Sequence, residues 1–130
     1  MATIVKRISV RASAPAVWDA VRDIGALHTR LVPGFVIDTR LEPGARLVTF
    51  ANGATIREPI VALDEAERRL VWTAQGGQTR HYNASAQVFA EGDGAVIVWT
   101  VDFLPDEARE AIDAAMTAGA AAMKAALPRH

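Results

Sequence analysis

The chain has 130 residues, of which 51% are hydrophobic and 22% are charged, and its formal net charge at pH 7 is -1. These values are typical of one soluble domain, which we expect to span residues 1–130. The near-neutral charge argues against a nucleic-acid partner, and the absence of cysteine excludes disulfides, thiolate metal sites and cysteine nucleophiles. With no signal-peptide pattern and no apolar run of the ~20 residues that a membrane span needs, we expect a cytoplasmic protein.

The N-terminal third predicts one strand followed by two short helices. Apolar and polar residues alternate over 4–12, which predicts a β-strand. Ser13 and Pro15 are typical of a helix start, and apolar residues at helical spacing continue this helix to about Gly25. Residues 26–34 predict one further helical turn.

From Phe35 onward the hydrophobic pattern changes to a period of two, which predicts six more strands. Segments rich in turn residues separate them. Asn52-Gly53 is typical of a two-residue hairpin turn, because both positions must take a positive φ. Successive hairpins indicate an antiparallel meander. The predicted strands cover residues 35–41, 46–51, 54–63, 69–75, 81–90 and 95–103.

The last segment predicts a helix of about 22 residues that starts at Pro105. Asp106 and Glu107 lie at its N-terminus, where the helix dipole favours negative charge. We also consider a homodimer formed through its alanine-rich surface, although the sheet is expected to use its apolar stripe. That stripe contains Ile112, Met116, Gly119, Met123 and Leu127.

Three local motifs occur in a characteristic order along the chain. They are Ser13–Val21 (SAPAVWDAV), Asn52–Glu58 (NGATIRE) followed by Leu63-Asp64, and Trp99 followed by Phe103-Leu104-Pro105. With this order of elements, the chain resembles the helix-grip superfamily (SRPBCC), which includes START lipid-transfer domains and the major birch-pollen allergen. Within it, the chain is similar to the bacterial polyketide cyclase/dehydrase-like proteins. One departure is Leu31-Val32-Pro33, where family members often carry a Trp before the Pro.

The resemblance implies an α+β helix-grip fold. In such a fold a seven-stranded curved antiparallel sheet wraps around a long C-terminal helix, with two short helices between strands 1 and 2. An apolar pocket for a small hydrophobic ligand is expected between the sheet and the helix. The loop that carries His28 and Arg30 borders the pocket mouth in the resembling family.

Strand parity predicts which side chains face this pocket. A turn at Gly92-Asp93 sets Val88 opposite Ile97, and continues with Ala86 opposite Trp99. The turn at Asn52-Gly53 sets Thr49 opposite Ile56 and Leu47 opposite Glu58. Taken alone, each apolar residue is also compatible with a solid core. The expected ligand-binding residues are Arg30, Leu47, Thr49, Ile56, Ile60, Trp72, Tyr82, Trp99, Val101, Phe103, Ile112, Met116, Gly119 and Met123, with Leu70 beside them.

Glu58 is the carboxylate whose parity directs it inward. Burial raises the pKa of such a group, which suits a general acid or base, and a structural pair with Arg30, Arg46 or a water is the alternative. His28 is the second candidate catalytic residue, Arg30 a candidate anion anchor, and Tyr82 a source of a hydroxyl. No metal site and no cofactor are predicted.

Three functions therefore remain open at this point. The first is binding of a small hydrophobic or amphipathic ligand in the pocket. The second is a cyclase- or dehydratase-like enzyme that uses Glu58 as acid or base. The third is a protein-interaction domain with a collapsed cavity.

Overall fold

The computed structural model describes residues 1–127 and shows seven strands and two main helices. The strands form one antiparallel curved sheet in the order β1-β7-β6-β5-β4-β3-β2, so only the β1–β7 pairing departs from a simple meander. The strands are β1 (Ala2–Val10), β2 (Val36–Glu42), β3 (Ala45–Phe50), β4 (Thr55–Asp64), β5 (Arg69–Thr73), β6 (His81–Glu91) and β7 (Gly94–Leu104). The predicted fold class is confirmed, and every strand boundary lies within two residues of its prediction.

The helices begin where the sequence predicts. Helix α1 (Ala14–Arg22) is capped by Ser13, whose Oγ accepts a hydrogen bond of 3.3 Å from the Ala16 amide. A 3-10 turn (Ile24–Ala26) and a π-helical turn (Leu27–Leu31) follow it and lead into β2. At the other end, a 3-10 turn (Asp106–Ala108) leads into the long helix α2 (Arg109–Ala126).

The core lies between the inner face of the sheet and the helices. Strand β7 alternates strictly between buried and half-buried residues, as expected for a strand with one face on the core. Its pairing with β6 has the predicted register, with Val88 opposite Ile97 and Ala86 opposite Trp99. Helix α2 buries Met116, Gly119 and Met123, which recur at helical spacing.

The register of β3 differs from its prediction by one residue. Thr49 pairs with Thr55 instead of Ile56, and Leu47 pairs with Arg57 instead of Glu58. The cause is the turn, which contains three residues, Ala51-Asn52-Gly53: the Phe50 amide donates to the Ala54 carbonyl at 2.8 Å, and Gly53 has φ +92°. Because side chains alternate along a strand, this single added residue exchanges the two faces of β3.

A β-bulge in β4 causes a second difference from the predicted register. Ile60 lies opposite Trp72 as predicted, but Ala62 pairs with Val71 and not with Leu70. One extra residue in β4 shifts the pairing beyond Ile60, so that Leu63 lies opposite Leu70. Val61 and Leu63 are both exposed.

Candidate functional site

A cavity of about 270 Å³ lies between the inner face of the sheet and helix α2. Its wall is mostly apolar and receives side chains from the helices, from strands β2 to β7 and from the β5–β6 loop. The wall contains Val21, Leu27, Leu31, Val32, Phe35, Val36, Arg46, Phe50, Ile56, Glu58, Leu70, Trp72, Ala74, Gly76, Gly77, Gln78, Thr79, Tyr82, Ala86, Trp99, Ala108, Ala111, Ile112, Ala115, Met116 and Met123.

The cavity opens between the β5–β6 loop and helix α2. Most of the wall is buried or half-buried, but five residues in these two segments are exposed. They are Gly76, Gly77 and Gln78 of the loop, and Ala111 and Ala115 of the helix. Four of these five positions carry glycine or alanine, so little side-chain volume is present at the entrance.

The polar centre of the wall is a buried ion pair. Arg46 Nε lies 2.9 Å from Glu58 Oε1, and the two residues are only 2% and 7% exposed. They face each other across β3 and β4, where Arg46 and Glu58 are register partners. Charged side chains are almost never buried to this extent unless they are paired.

Arg46 has further partners besides Glu58. Its guanidinium carbon lies 5.3 Å from the centroid of the Trp72 ring, which is a cation–π distance. Its Nη1 donates a long hydrogen bond of 3.4 Å to the Ile24 carbonyl, in the turn after α1. The guanidinium is therefore held between strand, aromatic ring and helix turn.

Burial raises the pKa of two acidic groups in the wall. The pKa of Glu58 is raised because its carboxylate loses water, and the charge and hydrogen bond of Arg46 offset only part of this effect. The pKa of Tyr82 is raised well above the usual range, first by burial and then by the negative charge of Glu58. Tyr82 therefore keeps its proton at neutral pH.

Two polar atoms of this cluster retain free hydrogen-bonding capacity. Among residues 1–127, Glu58 Oε2 and Tyr82 Oη have no hydrogen-bond partner, yet neither is fully enclosed. Since both side chains line the cavity, these atoms can meet a molecule inside it. Trp99 differs, because its Nε1 is fully enclosed and has no acceptor within the described part of the chain.

Eight of the predicted site residues lie in the cavity wall. The structure brings together Ile56, Glu58, Trp72, Tyr82, Trp99, Ile112, Met116 and Met123, and also Leu70. Gly119 lies directly behind the wall: a Cβ atom on it would come within 2.9 Å of the Trp99 ring, so the missing side chain is what lets helix and sheet approach.

Five other predicted pocket residues do not reach the cavity. Leu47 and Thr49 are on the other face of β3, because the three-residue turn reverses its parity. Val101 and Phe103 do face inward, but they are completely buried in a part of the core that side chains fill. Ile60 packs against the core next to the β4 bulge and outside the wall.

His28 and Arg30 also lie outside the cavity wall. His28 Nδ1 is 3.0 Å from Thr39 Oγ1 on β2. Arg30 pairs with Asp19 at 2.7 Å and Asp23 at 3.0 Å, so its charge ties the π-helical turn to α1. The mouth is thus not at His28 and Arg30, and neither residue joins Glu58 in a common site.

Arg46 is one of the alternative partners that the sequence predicts for Glu58, and the structure shows this pair, but the predicted cavity wall does not include Arg46. Arg46 lies on the same face of β3 as Val48 and Phe50. A prediction of the three-residue turn at Ala51–Gly53 would have placed all three side chains on the inner face. The exposed residues of the β5–β6 loop carry no periodic signal, and their place at the mouth follows only from the closed fold.

The described residues, 1–127, contain no group of three or more His, Asp or Glu side chains that could hold a metal ion. In the same range no helix combines the length and the apolar character that crossing a membrane requires.

Comparison with family models matches residues 1–128 to the family described as polyketide cyclase / dehydrase and lipid transport. The chain belongs to this family. A search of curated protein sequences gave no match.

Several solved structures resemble the chain at low sequence identity. An uncharacterised protein from Bacillus thuringiensis is 19% identical, with a TM-score of 0.87, over 97% of this chain and 98% of that one. A START superfamily protein from Mycobacterium smegmatis is 13% identical, with a TM-score of 0.78, over 96% of both chains. The di-domain ARO/CYC protein BexL, from the BE-7585A biosynthetic pathway, is 16% identical, with a TM-score of 0.83, over 96% of this chain and 46% of BexL. These identities establish the shared fold alone.

Proposed function

We propose that this family member binds one small, mostly apolar ligand in the cavity between the sheet and helix α2. The observation that carries the proposal is an apolar cavity of about 270 Å³ whose wall holds a single buried ion pair, Arg46–Glu58. Binding sites for small molecules are typically concave and apolar with a few polar groups that fix orientation. A collapsed cavity, which the protein-interaction hypothesis requires, does not agree with this volume.

The volume indicates the size of the ligand. A cavity of about 150 Å³ accommodates benzene, so 270 Å³ has room for a body of about two fused rings. A longer ligand would extend through the mouth beside Ala111 and Ala115. Two aromatic residues, Trp72 and Trp99, offer ring surfaces to such a body.

The three tryptophans supply a direct test with an internal control. Trp72 and Trp99 line the cavity, whereas Trp18 Nε1 donates to Glu65 Oε1 at 2.7 Å outside it. Titration with 2-naphthol, followed by ¹H–¹⁵N NMR of the indole groups, should shift the signals of Trp72 and Trp99 and leave Trp18 in place. No shift, or equal shifts of all three, would contradict the proposal. Native mass spectrometry of the purified protein would reveal a retained ligand.

Acid–base catalysis is a second candidate function, favoured by the free Glu58 Oε2 and the hydroxyl of Tyr82, whose side chains both line the cavity. In this hypothesis Glu58 removes a proton from the carbon next to a ligand carbonyl, while Tyr82 donates a hydrogen bond to the carbonyl oxygen that becomes an enolate. Enolate formation of this kind is the first step of an aldol-type ring closure or of a dehydration.

Hydrogen–deuterium exchange of 2-tetralone tests this chemistry without knowledge of the natural substrate. The wild-type protein should accelerate exchange at the carbon atoms beside the carbonyl group. Glu58→Gln should lower that acceleration by a factor of about 100 or more. Equal rates for the two proteins would remove the catalytic hypothesis and leave ligand binding standing.

A further inference from the structure

The charges in the cavity wall are balanced, and this balance bears on which ligands the cavity accepts. Among the described residues that line it, Arg46 is the only basic residue and Glu58 the only carboxylic acid. They lie 2.9 Å apart, so the wall has one positive and one negative charge in direct contact.

A charged ligand gains little from such a pair. A carboxylate drawn to Arg46 also meets Glu58, and no further cation in the described wall compensates the charge that it brings. Glu58 and the Trp72 ring already occupy two sides of the guanidinium. A cationic ligand has the reverse difficulty, because Glu58 is already neutralised by Arg46. Taking an ionic group out of water costs several kcal/mol unless a partner is free to receive it.

A hydroxyl group fits the two polar atoms that remain available. Glu58 Oε2 accepts a hydrogen bond, and Tyr82 Oη, which keeps its proton, both donates and accepts. A ligand hydroxyl carries both the donor that Glu58 can use and the acceptor that Tyr82 can use. A ketone or ether oxygen can only accept, so it makes half of this arrangement.

We propose that the Arg46–Glu58 pair makes the cavity selective for uncharged ring compounds that carry a hydroxyl group, such as phenols and ring alcohols, and that it rejects carboxylates of the same shape. This inference rests on the proposed ligand-binding function and names the ligand class for that site. Arg46 and Glu58 are then specificity-determining residues, and Tyr82 is the second anchor.

Three naphthalene derivatives of similar shape test the selectivity by isothermal titration calorimetry at pH 7. Wild-type protein should bind 2-naphthol most tightly and 2-methoxynaphthalene about ten-fold more weakly, because the ether cannot donate to Glu58. It should bind 2-naphthoate most weakly. In Tyr82→Phe, whose lost hydroxyl has no partner within residues 1–127, 2-naphthol should bind several-fold more weakly while the fold is kept.

The pair itself is tested by Glu58→Gln, with Glu42→Gln as its matched control. Glu42 on β2 pairs with Arg57 on β4 at 3.0 Å, so both substitutions remove one carboxylate from an Arg–Glu pair, but the Glu42 pair is exposed. Glu58→Gln leaves the charge of Arg46 unopposed, and 2-naphthoate should bind at least ten-fold more tightly than to wild type. Glu42→Gln should leave all three affinities unchanged.

Each result has a definite consequence. If wild-type protein binds 2-naphthoate as tightly as 2-naphthol, the charge selectivity is wrong and the proposed binding function stands. If none of the three compounds binds, the binding function fails, and this inference fails with it. Should Glu58→Gln not fold, the order of the three affinities in wild type and the effect of Tyr82→Phe still decide the question.

Discussion

Arg46 and Glu58 bring opposite charges to within 2.9 Å in a wall that is otherwise mostly apolar. Removing both side chains from water costs several kcal/mol per ion, and only close geometry repays this cost. The pair is therefore weak evidence for stability, and the pH dependence of its contribution can be predicted from the raised pKa of Glu58.

Substitution Arg46→Met should destabilise the protein by about 3 kcal/mol at pH 7, because it leaves a buried carboxylate without its partner. The pKa of Glu58 is raised in the folded state, so the folded state binds this proton more tightly than the unfolded state does. A group of this kind contributes stability below its unfolded pKa, and that contribution is lost as pH rises through the folded pKa. Arg46→Met removes the guanidinium whose charge and hydrogen bond lower this pKa, so the loss in the free energy of unfolding that it causes should shrink as pH falls from 7 toward about 4.5.

Urea denaturation at several pH values measures this deficit. Arg57→Met is the control, since its pair with Glu42 is more than one-third exposed, and an exposed pair is worth about 1 kcal/mol or less. A deficit for Arg46→Met that stays constant or grows toward acid pH would contradict the account of Glu58.

At the scale of elements, the register of β3 determines whether the side chain of Arg46 faces the cavity. A two-residue turn would direct Leu47 and Thr49 inward, whereas the observed three-residue turn directs Arg46 and Val48 inward. The number of strands and the β6–β7 register follow from hydrophobic alternation and turn residues and are predictable from the sequence, whereas the β1–β7 pairing is not. Which face of β3 points inward cannot be predicted in this way, because Asn52-Gly53 is compatible with both turn lengths and the alternation of apolar and polar residues around it is imperfect.

Two nearly isosteric substitutions on adjacent residues test the observed register. Val48→Thr buries a hydroxyl in a completely buried position and should lower the free energy of unfolding by about 1–3 kcal/mol. Thr49→Val acts on the other face, where the hydroxyl makes only an exposed contact of 3.3 Å with Thr55, so its effect should be close to zero. Thermal denaturation of the two variants compares them directly. The predicted two-residue turn would give the reverse order.

At the scale of the whole molecule, the cavity exists because a curved sheet and a straight helix do not fill the space between them. Small side chains in the wall leave more of this space empty, among them Ala86 on β6 and Ala111 and Ala115 on α2. Which apolar residues line the cavity and which complete the core depends on the global curvature. Val101 and Phe103 have the same inward parity as Trp99, yet only Trp99 reaches the cavity. Sequence periodicity predicts the face of a strand but not the volume in front of it.

The central claim, that a ligand enters and occupies this cavity, is tested most directly by blocking the mouth. Ala115 lines the cavity, whereas Ala118 does not, and both are exposed on α2. Calorimetric titration with 2-naphthol should show that Ala115→Trp binds at least ten-fold more weakly than wild type, because the indole fills the entrance between α2 and the β5–β6 loop. Ala118→Trp should bind like wild type. Equal affinities for the two variants would show that the ligand does not use this cavity.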